Sequence, residues 1–457
     1  MEAQPELVAH HFSEAGCKEQ AVPYWYAAGE RAAHRSANAE TIAHFQRGLQ
    51  DLALTPETEL RATRELDFLK ALGPALIATH GYGSAAVKGA YLRAHELCLR
   101  IGSKSDLFLV LRGLWNSYLF AADMAAVQDR GTHLLQLAHE IGDTATLVEA
   151  HRVAATAAFF AGDFAAADGH ATEGLELYDP QQHRLLAFVY GADPGVMSAI
   201  FGALSLWMLG YPERARRRIE RASAIAKGLS HPHTEGMVMC FRSTHNHWLG
   251  DLDGVQSYGS AAEAVASRLT FRQHLLFGTM MNSWALAMNG NPDEGIPKLT
   301  SAFHDWRSTW HILEPYFAAI LAEALIAANQ VAKAICVLGE ALAVAEQSGH
   351  NLYTAELHRL MGVALQDQAV PDATKQAEQC FRRALEVARH QQAKSLELRA
   401  ATTTAELLQR LDRTEQAVST LAPVYDWFSE GFDTRDLLLA KRVLDTLVAA
   451  RGSATAG

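Results

Sequence analysis

Apolar residues in this chain recur three and four positions apart, as on one face of an α-helix, and short polar turns interrupt them at nearly equal distances. In residues 134–141, LLQLAHEI, the leucine, alanine and isoleucine positions fall on one helical stripe. The alternation of apolar and polar residues that marks a strand is absent from the sequence. The pattern therefore predicts a chain built of helices.

The turns share one sequence element: an apolar helix end, a small residue, a polar turn and a new helix. It reads FAADMAAV, FAGDFAAA, MLGYPERA, WLGDLDGV and MNGNPDEG, with a fainter copy, AANQVAKA. The residue after the small position marks the register at Asp123, Asp163, Tyr211, Asp251, Asn291 and Gln330. Successive marks lie 40, 48, 40, 40 and 39 residues apart. Such a period predicts stacked repeats.

Two columns of the repeat suit a pair of antiparallel helices. The position before the mark holds residue types that tolerate a left-handed helix end: Ala122, Gly162, Gly210, Gly250, Gly290 and Asn329. The fourth position after the mark holds slim residues that let two helices cross closely: Val127, Ala167, Ala215, Val255, Gly295 and Ala334. A lone hairpin cannot bury its apolar face. The sequence thus predicts an all-α, right-handed solenoid of about ten or eleven tetratricopeptide-like (TPR-like) hairpins.

The longest gap between marks contains extra residues around DPQQHRLLAFVYGADPG, residues 179–195. We therefore predict N-terminal repeats over 1–178 and an insertion, or soft boundary, over 179–195. C-terminal repeats are predicted over 196–450, where a helix at 434–449 caps the open end of the stack. The small, polar residues 451–457 predict a disordered tail.

Charge and cysteine content narrow the classes of partner. The formal net charge is −11, which disfavours nucleic acid. The densest basic run, residues 214–221, contains Glu220, so it indicates a solvated helix face. Five scattered cysteines without a CxxC pair favour a reducing compartment and small buried side chains. With neither a signal peptide nor a long apolar span, the sequence predicts a cytoplasmic protein without membrane contact.

Histidines are the most tempting candidates for chemistry. His231, His233, Cys240, His245 and His247 lie close together in the sequence. Residues two apart on a helix point in nearly opposite directions, so His245 and His247 cannot face one ion. Neither HExxH nor GxSxG occurs. We therefore predict no metal, no cofactor and no catalytic residue, although a catalytic group assembled only in space stays open.

The favoured function is a protein- or peptide-binding scaffold or sensor, because first helices of TPR-like hairpins line a concave surface where peptides lie. The candidate groove residues are Arg112, Asn116, Tyr118, Arg152, Arg242, His245, Asn246, Asn282 and Arg359. The alternative is an enzyme or a small-molecule sensor with a pocket on the concave face. An open polar trough would favour the scaffold. A closed pocket with two or more groups such as His and Glu in hydrogen-bond reach would favour the enzyme.

Both ends of the chain resemble a known repeat region. The C-terminal text is LAPVYDWFSEGFDTRDLLLAKRVLDTL, residues 421–447. The N-terminal text is LVAHHFSEAGCKEQAVPYWYAAGERAAHRSANAETIAHFQRGL, then ALGPALIATHGYGSAAVKGAYLRAHELC. These stretches resemble the TPR region of bacterial proteins that join a class III adenylate/guanylate cyclase or a regulatory domain to a STAND-type ATPase. The resemblance implies a bacterial signalling role, with a cyclase or STAND ATPase module as the partner.

Such proteins usually carry their catalytic domains before the repeats, whereas this sequence starts in the repeat region. No GxxxxGK[ST] is present, so the chain lacks the loop whose backbone N–H groups cradle nucleotide phosphates. We expect that the purified protein neither binds ATP at micromolar concentration nor hydrolyses it. Equilibrium binding of a fluorescent ATP analogue and a phosphate-release assay check this. Hydrolysis that a substitution inside this chain abolishes would contradict it.

Overall fold

A computed structural model describes residues 4–35, 37–269, 271–366, 368 and 372–454. Those residues form helices joined by short turns, and no strand occurs among them. The chain divides into two compact units, Met1–Gly142 and Asp143–Gly457, called here the first and second units. None of the helices in the described part of the chain has the length and apolar character needed to cross a bilayer.

The described residues of the first unit form seven helices. They are α1 (Pro5–Glu14), α2 (Lys18–His34), α3 (Asn38–Ala53), α4 (Glu59–His80), α5 (Ala85–Ile101), α6 (Lys104–Phe120) and α7 (Met124–Ile141). From α2 onward, consecutive helices pack as the hairpins α2–α3, α4–α5 and α6–α7.

The second unit contains the remaining helices of the described residues. They are α8 (Thr144–Ala161), α9 (Phe164–Leu177), α10 (Leu186–Tyr190), α11 (Pro194–Met208), α12 (Pro212–Leu229), α13 (Pro232–Leu249), α14 (Leu252–Leu269), α15 (Arg272–Met288), α16 (Pro292–Arg307), α17 (Glu314–Ala327), α18 (Val331–Ser348), α19 (Thr354–Gln366), α20 (Ala373–His390), α21 (Lys394–Arg410), α22 (Thr414–Tyr425) and α23 (Arg435–Ala454). Seven hairpins result: α8–α9, α11–α12, α13–α14, α15–α16, α17–α18, α19–α20 and α21–α22.

The repeat columns have the local structure that the sequence predicts. Asp123 and Asp163 are N-caps, since their side chains accept hydrogen bonds from the backbone N–H three residues on. The preceding Ala122 and Gly162 adopt left-handed backbone angles that end the first helix. Together with the ten hairpins among the described residues, this confirms the all-helical TPR-like solenoid.

The insertion lies inside the second unit. Helices α9 and α11 pack directly on each other, so residues 179–193 leave the array as a loop that carries the short α10. The division into compact units instead falls after Gly142. At the C-terminus, α23 begins at Arg435, one residue after the predicted start. It includes 451–454, which correct the predicted disordered tail, and 455–457 lie outside the described residues.

Late repeats of the second unit close onto early ones through backbone carbonyls. The last carbonyls of a helix have no partner within it, so they need outside donors. Phe160 O of α8 accepts from Asn351 N at 3.1 Å. Trp207 O of α11 accepts from Ser395 Oγ, and Trp248 O of α13 accepts from Arg399 Nη2 at 2.7 Å. Three first helices are thereby capped by residues about 150–190 positions later.

The segment that links α22 to α23, residues 426–434, adds further contacts to this closure. Phe428 packs into the core that α21, α22 and α23 share, as the cap prediction requires. Trp427, however, contacts the turn between α11 and α12, where a Cβ at Gly210 would lie 2.7 Å from the Trp427 ring. Glu430 Oε1 accepts the backbone N–H groups of Glu213 and Arg214 at 2.8 and 3.1 Å, which caps the start of α12. The segment therefore joins the C-terminal helices to the turn between α11 and α12.

Trp248 lies at the centre of this closure, fully buried between the rings of Trp207 and Tyr353. Trp248→Ala should lower the free energy of unfolding by about 3–5 kcal/mol, because a large buried ring leaves a cavity. Trp427→Ala, at a partly exposed ring, should cost about 1–2 kcal/mol. Urea denaturation followed by circular dichroism measures both. Equal losses in the two variants would show that Trp248 is not central to the closure.

Candidate binding pocket in the second unit

A polar pocket of about 300 Å³ opens beside the closure of the second unit. Six helices contribute to its wall: α13, α15, α17, α19, α21 and α23. The polar lining residues are His247, Trp284, Glu323, Glu356, Arg359, Arg399, Thr402, Thr403, Arg435 and Asp436. First helices supply most of this lining, because their inner faces converge where the late repeats meet the early ones.

One side of the pocket is organised around Glu323. Its Oε2 atom lies 3.0 Å from His247 Nε2 and accepts from Trp284 Nε1 at 3.1 Å. The other ring nitrogen of His247 contacts the Tyr316 hydroxyl at 3.0 Å. Burial disfavours ionised Glu323, but His247 and Arg399 outweigh that effect and lower its pKa to about 2. Glu323 is therefore a carboxylate held as an acceptor, unsuited to taking up a proton.

The opposite side is a chain of arginines and carboxylates. Arg359 donates through Nε and Nη2 to both oxygens of Glu356, at 2.8 and 2.7 Å. Arg399 lies 3.5 Å from Glu356 and donates to Asp436 Oδ2 at 2.7 Å, while it also caps Trp248 O. Burial would raise the pKa of Glu356, yet the two guanidinium groups hold it below its ordinary value. Each buried charge here is compensated by an opposite one.

Arg435 differs from these arginines, because its charge is not compensated by a nearby carboxylate in the part of the chain that the structure describes. It is exposed at the start of α23, and no carboxylate of the described residues lies within 4 Å of its guanidinium. Half-buried apolar side chains form the rim nearby: Met288, Ile326, Val363 and Leu439. The pocket thus offers one uncommitted cation beside apolar surface, an arrangement that suits an amphipathic ligand with a negative group.

Only one of the nine groove residues predicted from the sequence lines this pocket, namely Arg359. Arg242 points toward second helices, where it donates to Ser223 Oγ at 2.9 Å and stacks over Tyr258. Asn282 likewise donates to Glu263 of α14. Asn246 donates to the Arg242 carbonyl. These three side chains occupy the seam between first and second helices.

The other groove candidates are mostly buried. Arg112 and Asn116 lie inside the first unit, where Tyr118 is half-buried between Lys88 and Arg130. In the second unit, Arg152 forms a buried ion pair with Glu149 of the same helix. His245 is also buried, and burial lowers its pKa to about 4. That the nine residues together bind a partner stays a prediction.

The histidines and Cys240 that are close in sequence do not gather round one point. His247 faces Glu323, whereas His233 and Cys240 contact opposite nitrogens of His274, at 3.0 and 3.7 Å. The ring of His274 therefore separates them. Burial raises the pKa of the Cys240 thiol. The prediction that every cysteine is buried is wrong for Cys17 and Cys336, whose side chains are exposed.

Sequence reasoning missed most of the pocket, including Glu323, Glu356 and Arg399. The available signal was a charged residue inside an otherwise apolar first helix: Glu323 interrupts EPYFAAILAEALIA in α17. It also missed a second group, His151, His170 and Glu173, whose ligand atoms lie close enough to hold a metal ion. That group combines residues from α8 and α9 that the register alone does not bring together.

Comparison with known proteins supports the fold. A Rap protein complexed with competence and sporulation factor superposes with a TM-score of 0.56 at 13% identity, over 83% of this chain and 98% of that chain. A STAND protein with a tetratricopeptide repeat sensor from Pyrococcus horikoshii gives a lower TM-score of 0.45 at 14% identity, over 86% of this chain and 55% of that one. No protein-family model matches the chain.

One curated relative comes from Rhizobium meliloti (strain 1021) and is described as an uncharacterized protein. It is 24% identical over 360 residues, which cover 78% of this chain. The aligned part spans 35% of that relative, so this chain corresponds to about a third of its length. The relative is thus a longer protein that contains a similar stretch.

The pocket brings His247 and Glu323 within hydrogen-bond reach, which meets one part of the criterion set for an enzyme, but the pocket is open and not closed. The ionisation states also oppose an enzyme. Glu323 and Glu356 both have lowered pKa values, Glu323 beside His247 and Glu356 in an ion pair with Arg359. A general base needs a pKa near the working pH. The chemistry of this wall therefore favours binding over proton transfer.

Glu323→Gln tests the charge on this wall. The folded-state pKa of about 2 lies below the ordinary 4.5, so the carboxylate stabilises the fold above pH 4.5 and loses that effect as the pH falls toward 2. The variant should therefore lose up to about 3 kcal/mol at pH 7. Urea denaturation between pH 7 and pH 3 should show the gap to wild type narrowing below pH 4.5.

A matched control is Glu346→Gln, because Glu346 is exposed on α18. The free energy of unfolding of Glu346→Gln should stay within about 0.5 kcal/mol of the wild-type value at every pH. A constant gap between Glu323→Gln and wild type down to pH 3 would contradict the assigned ionisation of Glu323.

Proposed function

We propose that the second unit is a protein- or peptide-binding module whose pocket holds a negatively charged group of its partner. The observation that carries the proposal is Arg435, a guanidinium without a carboxylate partner among the described residues, beside a wall where the other charges are paired. Arginine binds carboxylates through charge-assisted hydrogen bonds. The group bound is therefore a C-terminal carboxylate or an acidic side chain.

The volume of the pocket and its apolar rim indicate what else the ligand contains besides the negative group. A volume of about 300 Å³ fits one or two residues, so the pocket takes a chain end or an anchoring side chain, with the remainder of the partner outside. The apolar rim of Met288, Ile326, Val363 and Leu439 favours an apolar residue next to the negative group. The Rap protein of similar fold is complexed with a competence and sporulation factor, which supports a binding role for this architecture.

Selection from a library of short random peptides tests this function. We expect the wild type to enrich peptides with an acidic or free C-terminal group beside an apolar residue. Arg435→Glu should weaken the binding of such a peptide at least tenfold, about 1.4 kcal/mol, because it places a like charge at the site. Fluorescence anisotropy with a labelled peptide measures the dissociation constants.

Arg442→Glu is the matched control, since Arg442 is exposed on the same helix and does not line the pocket. It makes the same change in net charge, so long-range attraction falls equally in both variants. Its effect on the dissociation constant should stay below about twofold. Equal weakening by the two substitutions, or enrichment of no peptide at all, would refute the proposed site.

A small-molecule sensor is the second candidate, because the pocket volume lies at the lower end of the range for small ligands. A panel of small carboxylates in a thermal-shift assay separates the two functions. A large rise in melting temperature with a free carboxylate, lost in Arg435→Glu, would favour the sensor.

We further propose that this array serves a larger bacterial signalling protein of the cyclase or STAND ATPase type. Two observations support this: the resemblance of residues 421–447 to the repeat regions of such proteins, and the greater length of the Rhizobium meliloti relative. Crosslinking in the source cell followed by mass spectrometry tests it. Recovery of a cyclase or a STAND ATPase, in the same chain or in another, is the expected result, and recovery of neither would count against it.

A further inference from the structure

A group of metal-ligating atoms lies on the α8–α9 hairpin, apart from the pocket. His151 belongs to α8, and His170 and Glu173 lie one turn apart on α9. The His151 side chain is 7% exposed, whereas those of His170 and Glu173 are 31% and 59% exposed. One face of the group is thus buried in the hairpin and the other is open to solvent.

The three ligand atoms form a compact triangle. His151 Nδ1 lies 3.1 Å from Glu173 Oε2 and 3.4 Å from His170 Nδ1, and the third edge, from His170 Nδ1 to Glu173 Oε2, is 3.9 Å. A point near the centre of such a triangle lies about 2 Å from every corner, which matches Zn–N and Zn–O bond lengths in proteins. Two nitrogens and one carboxylate oxygen are common zinc donors.

Close packing of the two helices produces this arrangement. Gly174 follows Glu173, and a Cβ there would lie 3.2 Å from His151 Cβ and 3.3 Å from Ser198 Oγ. The missing side chain lets α9 approach α8 and α11. His151 Nδ1 thereby comes within 3.4 Å of both Glu173 Oε2 and His170 Nδ1. A cation at the centre would satisfy all three ligand atoms together.

We propose that His151, His170 and Glu173 bind one divalent transition-metal cation, for which Zn²⁺ is the test ion. Nδ1 of each histidine and a carboxylate oxygen of Glu173 supply three ligands, and the exposed side leaves a fourth position for water. The ion joins α8 to α9 across their hairpin. Phe160, whose carbonyl accepts from Asn351 in the closure, lies in the last turn of α8, so the ion also stabilises one anchor of the second unit.

Calorimetric titration of tag-free, chelator-treated protein with ZnCl₂ tests the proposal. We expect one ion per chain and a rise of several degrees in melting temperature on adding Zn²⁺. His170→Gln and Glu173→Gln should each weaken Zn²⁺ binding at least tenfold and abolish that rise. Both side chains are partly exposed, so the metal-free variants should melt with the wild type.

His304→Gln removes an exposed histidine of α16 and is the matched control, which should bind Zn²⁺ like the wild type. The Co²⁺-loaded protein should show visible absorption bands of a four- or five-coordinate ion, and His170→Gln should lose them. Absence of saturable Zn²⁺ binding in the wild type would overturn the proposal. Undiminished binding in both His170→Gln and Glu173→Gln would overturn it equally, since the ion would then lie elsewhere.

Discussion

The second unit depends on the carbonyl groups at the ends of three first helices, which find donors in late repeats. A helix leaves its last carbonyls without internal partners, and burying them unpaired is costly. Asn351 supplies the donor for Phe160 O, and Arg399 supplies the donor for Trp248 O. Ser395 adds a second donor to Trp207 O, which also accepts from Gly210 N at 3.0 Å. The repeats therefore close on themselves and enclose α11 on every side. All fifteen residues of α11 are buried as a result.

Enclosure explains the character of the pocket. Charged side chains on enclosed helices lose their hydration, so their charged forms are stable only beside an opposite charge. Arg359 and Arg399 provide that opposite charge for Glu356. Such pairing leaves little chemical reactivity, because both partners are held in their charged forms. Arg435 needs no such partner, because it lies exposed at the rim of the pocket, at the start of α23, and stays hydrated. The binding role proposed for the pocket rests on this difference in solvation.

The local structure could be predicted from the sequence, but the pocket could not. Turn chemistry is local, so the helix ends expected at Ala122 and Gly162 are found there, with left-handed backbone angles. The pocket joins α13 to α21, whose residues Trp248 and Arg399 are 151 positions apart. A 40-residue period does not specify how far the array curves. Arg242 was therefore expected in a groove, yet it stacks on Tyr258.

Arg399 belongs to the closure and to the pocket at once. Its Nη2 atom caps the Trp248 carbonyl, while its Nε atom holds Asp436, the neighbour of Arg435 in α23. A negative group bound at Arg435 acts on the same short turn of α23 that Arg399 anchors. Binding and closure then share one set of contacts, so a ligand favours the closed second unit by the difference in its affinity for closed and opened states. Reciprocally, the opened second unit binds that ligand less tightly than the closed one by the same factor.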